Sequence, residues 1–250
     1  MLLNSEVDIM AFIVKLAEQN VKISSDSEQL KGFFKDYIVE CDNPDFEINW
    51  TEDEVWREHN SSTESFSFDY LETLIALRKI SEIFPHKNTL LFHGACISYK
   101  GKAYLFAAPS GTGKSTHIRL WRKYIGSDVG IVNGDKPFIS FHSDHPIIHG
   151  TPWAGKEHWE KNCSFPLQNI CFIKQGTKNT IRKTSILESL PLLLTQIYMP
   201  QEEGAAGKTL SLIDLLIKKV PMYLLECDIS EEAVRTSFEQ LTESPYPPNN

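Results

Sequence analysis

The feature that most constrains the fold is a glycine-rich segment between an apolar run and an amphipathic one. The apolar run Ala103–Ala108 leads directly into the loop residues 108–115, APSGTGKS, and Thr116–Tyr124 follows without a proline or glycine. This order predicts a β-strand, a glycine-rich loop and an α-helix, which is the context that a phosphate-binding loop requires. An earlier apolar run, Leu90–Ser98, is joined to the first by residues 99–102, YKGK, and we expect the two runs to form a hairpin.

The residue types in this loop suit a nucleoside triphosphate. The glycines let the backbone turn its N–H groups inward around an anion, the helix start adds partial positive charge, and Lys114 supplies a full one. The Ser115 hydroxyl is placed to hold Mg²⁺. We therefore expect ATP and Mg²⁺ to be bound by the loop and the first helical turn, that is by Ser110, Gly111, Thr112, Gly113, Lys114, Ser115 and Thr116. The alternative is a glycine-rich turn that merely precedes a helix.

The composition limits the class of protein. The chain has 250 residues, 41% of them hydrophobic, and a net charge of −8. The acidic balance argues against nucleic acid and anionic membranes as partners. The five cysteines are scattered and include no Cys-x-x-Cys, which is typical of thiols in a reducing compartment. Because the chain lacks a basic start, and no apolar run reaches the ~20 residues of a membrane span, we expect a cytoplasmic protein.

Two regions differ in their patterns. Residues 1–85 predict a smaller α+β unit, for which recognition of a substrate or partner is one role to consider. Within it, Ile9–Leu16 has helix-like or mixed periodicity, Asp45–Trp50 alternates like a strand, and Phe68–Phe84 is an amphipathic helix. Residues 86–250 predict a kinase-like domain of the α/β class, in which a mixed, twisted sheet carries the phosphate-binding loop.

An acidic residue follows the next predicted strand. The short apolar run Val129–Val132 ends at Asn133-Gly134-Asp135-Lys136-Pro137. A strand that delivers a carboxylate beside a phosphate-binding loop is the usual source of a Mg²⁺ ligand or of the group that positions the attacking atom. The alternative is a turn aspartate, which is common in Asn-Gly-Asp. We favour the functional interpretation because Asp135 follows the loop helix by one strand.

Three later segments predict a functional loop, a helix and a closing loop. Residues 150–157, GTPWAGKE, combine turn residues with the neighbouring charges Lys156 and Glu157, and function and structure are equally compatible with them. Ile186–Met199 predicts a helix, with Pro191 at the start of its main part. Gln201–Lys208 predicts a small-residue loop that stays mobile or closes over a ligand.

Residues Leu91 to Asp135 resemble the HPr kinase/phosphorylase group, bacterial protein-serine kinases related in fold to PEP carboxykinase. The resemblance is carried by His93-Gly94 on the strand before the loop, by residues 110–115, SGTGKS, and by Gly134-Asp135, where the family has an acidic pair. The chain is closest in character to the small HPr-kinase-like proteins of peptide biosynthetic clusters. Residues 1–85 do not match the N-terminal domain of the true HPr kinases.

The resemblance implies a division of roles and also departs from the family. It implies that Asp135, His93 and Lys114 are catalytic. Asp135 would accept the proton of the acceptor hydroxyl or position that hydroxyl, and it would also hold Mg²⁺. His93 would hydrogen-bond Asp135; the alternative is that it only packs in the core. Since Gly134 replaces one carboxylate, either Asp135 acts alone or Glu157 supplies the second. The arginine-bearing C-terminal motif of the family has no clear counterpart, so the sequence leaves open whether the reverse, phosphorylase reaction occurs.

The loop and Asp135 predict transfer of a phosphoryl group from ATP to a hydroxyl, and the resemblance implies that this hydroxyl is a Ser or Thr of a protein or precursor peptide. Lys156, Arg119 and Arg122 are candidates for stabilising the transferred charge. Two alternatives stay open at this point. One is a kinase for a small-molecule hydroxyl, and the other is a non-catalytic regulatory module that uses ATP to close Gln201–Lys208 over a partner. Homo-oligomerisation is also left open.

Overall fold

The computed structural model describes residues 10–25, 27–61 and 66–247, which belong to two compact units within residues 1–83 and 84–250. The segment 1–9, which includes the start that lacks basic residues, lies outside the described residues. None of the described helices combines the length and the apolar composition needed to cross a bilayer. All five cysteines are free thiols.

The first unit is built on a three-stranded sheet with helices. Its elements are β1 (Met10–Leu16), β2 (Gln19–Ser25), α1 (Glu28–Phe33), β3 (Phe46–Asn49), α2 (Glu52–Ser61) and α3 (Phe68–Ile83). Strand β2 pairs antiparallel with β1 and parallel with β3. The helix-like interpretation of Ile9–Leu16 is wrong for the described residues 10–16, because Phe12, Val14 and Leu16 are buried while Ala11 and Lys15 are exposed. That period of two is the period of a strand.

The second unit contains the loop and a larger mixed sheet. Its elements are β4 (Thr89–Leu91), β5 (Ala95–Tyr99), β6 (Lys102–Ala107), α4 (Lys114–Ile125), β7 (Gly130–Asn133), β8 (Phe138–Ser140), β9 (Ile147–His149), β10 (Ser164–Gln175), β11 (Thr180–Lys183), α5 (Ile186–Leu194), α6 (Glu203–Lys219), β12 (Met222–Cys227) and α7 (Glu231–Thr242). The strand order is β4-β8-β9-β10-β6-β5-β7, with β12 pairing β10 and β11. The predicted α/β class with a mixed sheet is confirmed.

The direction of the strands determines which residues meet at one edge of this sheet. Strand β10 runs parallel to both β6 and β12, whereas β5 runs antiparallel to both β6 and β7. Strands β6, β7, β10 and β12 therefore share one direction, and their carboxyl ends lie along the same edge. The glycine-rich loop leaves the end of β6, and Asp135 follows the end of β7.

Both faces of the central strand are buried. Alternate residues of β6 contribute to two apolar clusters: Leu105 packs in one that includes Leu212 and Leu216 of α6, and Phe106 packs in the other with Trp121 of α4 and Phe238 of α7. Helices thus cover both faces of the sheet. Continuous burial of this kind requires an apolar run, which is why residues 103–108 are almost entirely apolar.

The predicted hairpin is present, but its first strand is interrupted. Lys100 and Gly101 have φ values of 46° and 75°, the left-handed conformations that a two-residue hairpin turn uses. The run Leu90–Ser98 is divided between β4 and β5, which pair with different strands. Between them the backbone N–H of His93 donates to Gln196 O, and that of Gly94 donates to Asp135 O. The chain leaves the ladder at this point to make contacts outside it.

Two predictions for the later helices are wrong. Gln201–Lys208 is mostly the first part of α6, because the Glu202 side chain caps the N–H groups of Gly204 and Ala205 at 2.9 and 2.6 Å. Helix α5 ends at Leu194 rather than Met199, and Pro191 lies inside it. A reciprocal cap between Ser185 and Glu188, rather than the proline, fixes where α5 begins.

Gly150, after β9, offers a direct test of how tightly the second unit is packed. A Cβ atom there would lie 1.9 Å from Lys161 O and 2.6 Å from Val132 O, both of which are backbone atoms. We expect Gly150→Ala to lower the free energy of unfolding by about 1–3 kcal/mol, because backbone segments must separate. The measurement is chemical denaturation of the purified protein.

The matched control is Gly207→Ala in α6, where an added Cβ meets nothing within 4 Å. Since alanine favours a helix over glycine by about 1 kcal/mol, that variant should be as stable as the parent or more so. Equal stability of the two variants would contradict the packing described for Gly150.

Candidate functional site

The glycine-rich loop has the backbone conformation that its sequence predicts. Gly111 and Gly113 have φ values of 79° and 108°, which residues with a side chain rarely adopt. Gly113 is the N-cap residue of α4, and no side chain caps this helix end. The free N–H groups at the start of α4 therefore lie next to the loop, where partial positive charge favours an anion.

Lys114 folds back over the loop that precedes it. Its Nζ donates a hydrogen bond to Ala108 O at 2.7 Å. Burial lowers the pKa of Lys114, with the Asp135 charge opposing and the Lys136 charge adding to that shift. The charge of Lys114 is therefore coupled to the charges of Asp135 and Lys136.

The remaining loop residues differ in exposure. Ser110, Gly111 and Thr116 are exposed, while Thr112 and Ser115 are half-buried. Gln175 Nε2, at the end of β10, donates to Thr112 O at 3.2 Å. The residues predicted to bind phosphate are therefore contiguous along the loop and the first turn of α4.

Asp135 is held by two basic side chains. Its Oδ1 lies 3.2 Å from His93 Nε2, and its Oδ2 lies 3.1 Å from Lys136 Nζ. Burial disfavours the ionised form, but the hydrogen bond from His93 and the nearby charge of Lys136 outweigh it and lower the pKa of Asp135 to about 2. The carboxylate is ionised at neutral pH. Its side chain is 27% exposed, so a ligand can reach it.

A buried amide fixes the turn that presents this carboxylate. Asn133 Oδ1 accepts hydrogen bonds from the backbone N–H groups of Asp135 and Lys136, at 2.8 and 2.7 Å. Asn133 Nδ2 donates to Thr151 O and Oγ1 at 2.9 and 3.1 Å, and Thr151 Oγ1 donates to Lys136 O at 2.8 Å. Asn133 and Thr151 are both fully buried. The two loops therefore form one rigid unit.

Close backbone approaches at glycines complete this unit. A Cβ at Gly134 would lie 2.6 Å from Ala154 O, and one at Gly94 would lie 2.9 Å from Phe106 O. Gly134, which stands where the resembling family has an acidic residue, is thus at a contact that leaves no room for a side chain. Gly155 approaches from the other loop with a φ of 72°, and a Cβ there would contact Asp135.

Sequence reasoning missed Asn133, Thr151 and Lys136 as residues of the site. The pattern Asn-Gly-Asp indicated a turn around Asn133, and Gly-Thr-Pro-Trp was recognised as unusual. Neither pattern could show that the two loops bond to each other. Lys136 could have been found as the basic neighbour of Asp135.

Two of the other predicted charged residues pair with each other. Glu157 forms an ion pair with Arg119 of α4, and the Arg119 guanidinium lies 5.3 Å from the centre of the Trp159 ring. Glu157, the candidate for a second carboxylate beside Asp135, is therefore paired with Arg119. Lys156 and Arg122 are exposed. Among residues 10–25, 27–61 and 66–247, no group of three or more His, Cys, Asp or Glu side chains is suited to hold a metal.

Fold and site together define an α/β protein in which a glycine-rich loop and an ionised aspartate share one edge of a mixed sheet. The family model described as "SynChlorMet cassette protein ScmC" matches residues 60–241. The chain belongs to this family. The family description names a cassette and no reaction.

The structure is also similar to the Hpr(Ser) kinase/phosphatase from Coxiella burnetii. The two are 10% identical, with a TM-score of 0.35, and the similarity covers 61% of this chain and 92% of the other. No curated protein matches the chain.

The low pKa of Asp135 predicts how stability changes with pH. The pKa of the Asp135 carboxyl is near 3.8 in the unfolded chain and about 2 in the folded protein, so the folded protein binds the carboxyl proton less tightly. Ionised Asp135 therefore stabilises the fold above about pH 4. That contribution, about 2 kcal/mol, is lost as the pH falls towards 2. We expect the stability difference between the parent and Asp135→Asn to shrink by about that amount between pH 6 and pH 2, as measured by denaturation.

His93→Gln provides the second arm of this test. It keeps the carboxylate but removes the imidazole, so the pKa of Asp135 followed by ¹³C NMR should rise. A pH-independent difference between parent and Asp135→Asn, or an unmoved titration in His93→Gln, would contradict the electrostatic description of Asp135.

Proposed function

We propose that this protein binds ATP with Mg²⁺ and transfers the terminal phosphoryl group to a hydroxyl, that of a Ser or Thr in a protein or peptide. The observation that carries the proposal is the ionised and accessible carboxylate of Asp135, held by His93 beside a loop whose Lys114 interacts with its charge. Phosphoryl transfer needs charge neutralisation and positioning more than covalent chemistry, and these groups supply both.

The loop would hold the phosphates. Backbone N–H groups of residues 110–115 would donate to phosphate oxygens, as expected where a glycine-rich loop opens a helix. The Lys114 ammonium, which now donates to Ala108 O, would turn to the phosphates and replace a neutral acceptor with a charged one. Partial burial of Lys114 would strengthen this interaction because nearby water is limited.

The donor set suits Mg²⁺. The Ser115 hydroxyl and the Asp135 carboxylate are hard oxygen donors, and Mg²⁺ is typically held by one or two such groups together with substrate phosphates and water. When bound, the ion would neutralise charge on the phosphates. Ser115 in the first turn of α4 and Asp135 after β7 would bring this charge to the loop.

Asp135 would position the acceptor rather than act as a strong base. A carboxylate with a pKa of about 2 accepts a hydrogen bond well but takes up a proton poorly at neutral pH. The acceptor oxygen would form its bond to the terminal phosphorus as the bond from that phosphorus to the bridging oxygen breaks. The acceptor proton would leave along the hydrogen bond to Asp135, on its way to solvent or phosphate. His93 would keep Oδ1 oriented during this step.

Positive charge near the transferred group would come first from Lys136. Its Nζ is already 3.1 Å from Asp135 Oδ2. Arg119 would have to exchange its ion pair with Glu157 to take part, and Lys156 and Arg122 would approach from exposed positions. We therefore rank Lys136 ahead of the three residues first considered.

The exposed loop favours a large acceptor, a protein or a peptide. Pro109, Ser110 and Gly111 are exposed, so a side chain on a large partner would have access to the loop. A small-molecule hydroxyl would need the same chemistry.

The alternative of a non-catalytic regulatory module required a mobile loop at Gln201–Lys208 that closes over a partner. Residues 203–208 are helical, so this support for the alternative is removed. We place the activity in the cytoplasm, as the sequence suggests.

Asp135→Asn tests the proposed role. It keeps the shape of the side chain but removes its charge, so the acceptor is positioned less well and transfer from ATP labelled at the terminal phosphate should fall by about 10²-fold or more. The assay is incorporation of label in a lysate of the source organism, below the melting temperature of both proteins. Labelled protein bands support a protein or peptide acceptor, whereas labelled small molecules favour a kinase that acts on a small-molecule hydroxyl.

The matched control is Asp144→Asn, an exposed aspartate in the turn between β8 and β9. That change should leave the transfer rate within twofold of the parent, because Asp144 is not among the residues proposed to contact the nucleotide. A parent protein that labels nothing while binding ATP would overturn the kinase proposal. An unchanged rate in Asp135→Asn would remove Asp135 from the mechanism.

A further inference from the structure

A cleft of about 330 Å³ begins at the loop and extends beyond it to residues that have no part in the chemistry proposed above. It is lined by the loop itself, by the start of α4 and by residues at the ends of β10 and β12. The lining residues on which the inference depends are Thr112, Leu120, Ile173, Gln175, Asp228 and Ile229.

The topology places this cleft and Asp135 on opposite sides of the loop. Strand β6 has β10 and then β12 on one side, and β5 and then β7 on the other. The parallel strands β6, β10 and β12 end at the same edge, and ligands of open α/β sheets bind outside such ends. A ligand whose phosphates lie in the loop, with the terminal one towards Asp135, would therefore extend its other half towards β10 and β12.

The chemistry of the cleft suits a base and a sugar. Ile229 is 76% exposed although it is fully apolar, and Leu120 and Ile173 add further apolar surface. Gln175 and Asp228 bring polar groups, and Gln175 also contacts the loop through Thr112 O. Apolar walls with a few polar groups are typical of small-molecule sites.

A buried histidine forms part of the wall of the cleft. His117, in the first turn of α4, is 3% exposed and lines the same cleft. Its Nε2 lies 3.0 Å from Ser237 Oγ, while its Nδ1 has no hydrogen-bond partner in the described part of the chain. Because Nδ1 is itself buried, His117 closes the wall of the cleft and offers no accessible polar atom to a ligand.

We propose that this cleft binds the nucleoside half of the nucleotide, with the base against Ile229 and Leu120 and the sugar near Gln175 and Asp228. This inference rests on the proposed function, because it takes the loop to hold the phosphates. It also gives the orientation of the bound nucleotide: the base lies on the β12 side of the loop, and the terminal phosphate lies on the β7 side.

The test compares ATP with inorganic tripolyphosphate, which has phosphates but no nucleoside. We expect Ile229→Ser to weaken ATP binding by about 5- to 10-fold, the value of partly burying one apolar side chain, and to leave tripolyphosphate binding unchanged. Lys114→Ala should weaken both ligands. Isothermal titration calorimetry of each variant gives the dissociation constants.

The control is Leu187→Ser on α5, a side chain that is 86% exposed and does not line the cleft. It should change neither affinity. If Ile229→Ser leaves ATP affinity unchanged, or weakens both ligands equally, the nucleoside inference is overturned while nucleotide binding stands. If the parent binds neither ligand, the proposed function fails together with the inference.

Discussion

The candidate site depends on one buried side chain, Asn133. Its amide oxygen accepts the N–H groups of Asp135 and Lys136, and its amide nitrogen donates to Thr151 on the neighbouring loop. A buried amide must satisfy its donors and acceptors, so this arrangement is costly to disturb. The turn after β7 is thereby fixed, and with it the direction in which Asp135 extends from the sheet edge.

The charges of the site follow from that fixed geometry. Asp135 stands between His93 and Lys136 and interacts with Lys114 on the loop, so one carboxylate is ionised among several basic groups. Two lysines, Lys114 and Lys136, therefore accompany this single carboxylate and would favour a phosphate chain, although the chain as a whole is acidic. A local arrangement of charge, rather than net charge, therefore determines which ligand the site favours.

Local signals made part of this structure predictable from sequence. Gly111 and Gly113 needed left-handed backbone, and the apolar run before them needed burial on both faces, so the strand, loop and helix could be placed. Asp135 could be selected because it follows the next strand. The partnership of Asn133 with Thr151 joins residues 18 positions apart through side chains, and no local pattern encodes it. The break at His93-Gly94 likewise depends on distant partners, Gln196 and Asp135, which no local pattern encodes. The small residues of Gln201–Lys208 predict a loop, whereas the cap formed by Glu202 begins a helix there.

The central claim is that the loop and Asp135 form one site that acts on one nucleotide. A double-mutant cycle on the affinity for ATP with Mg²⁺ tests it most directly, using Lys114→Ala, Asp135→Asn and the double variant. Residues that share a ligand and interact with each other should show effects that depart from additivity by at least about 0.5 kcal/mol. The account predicts such a departure, measured by calorimetry at fixed salt. Additive effects, or an affinity that depends on Lys114 but not on Asp135, would contradict it.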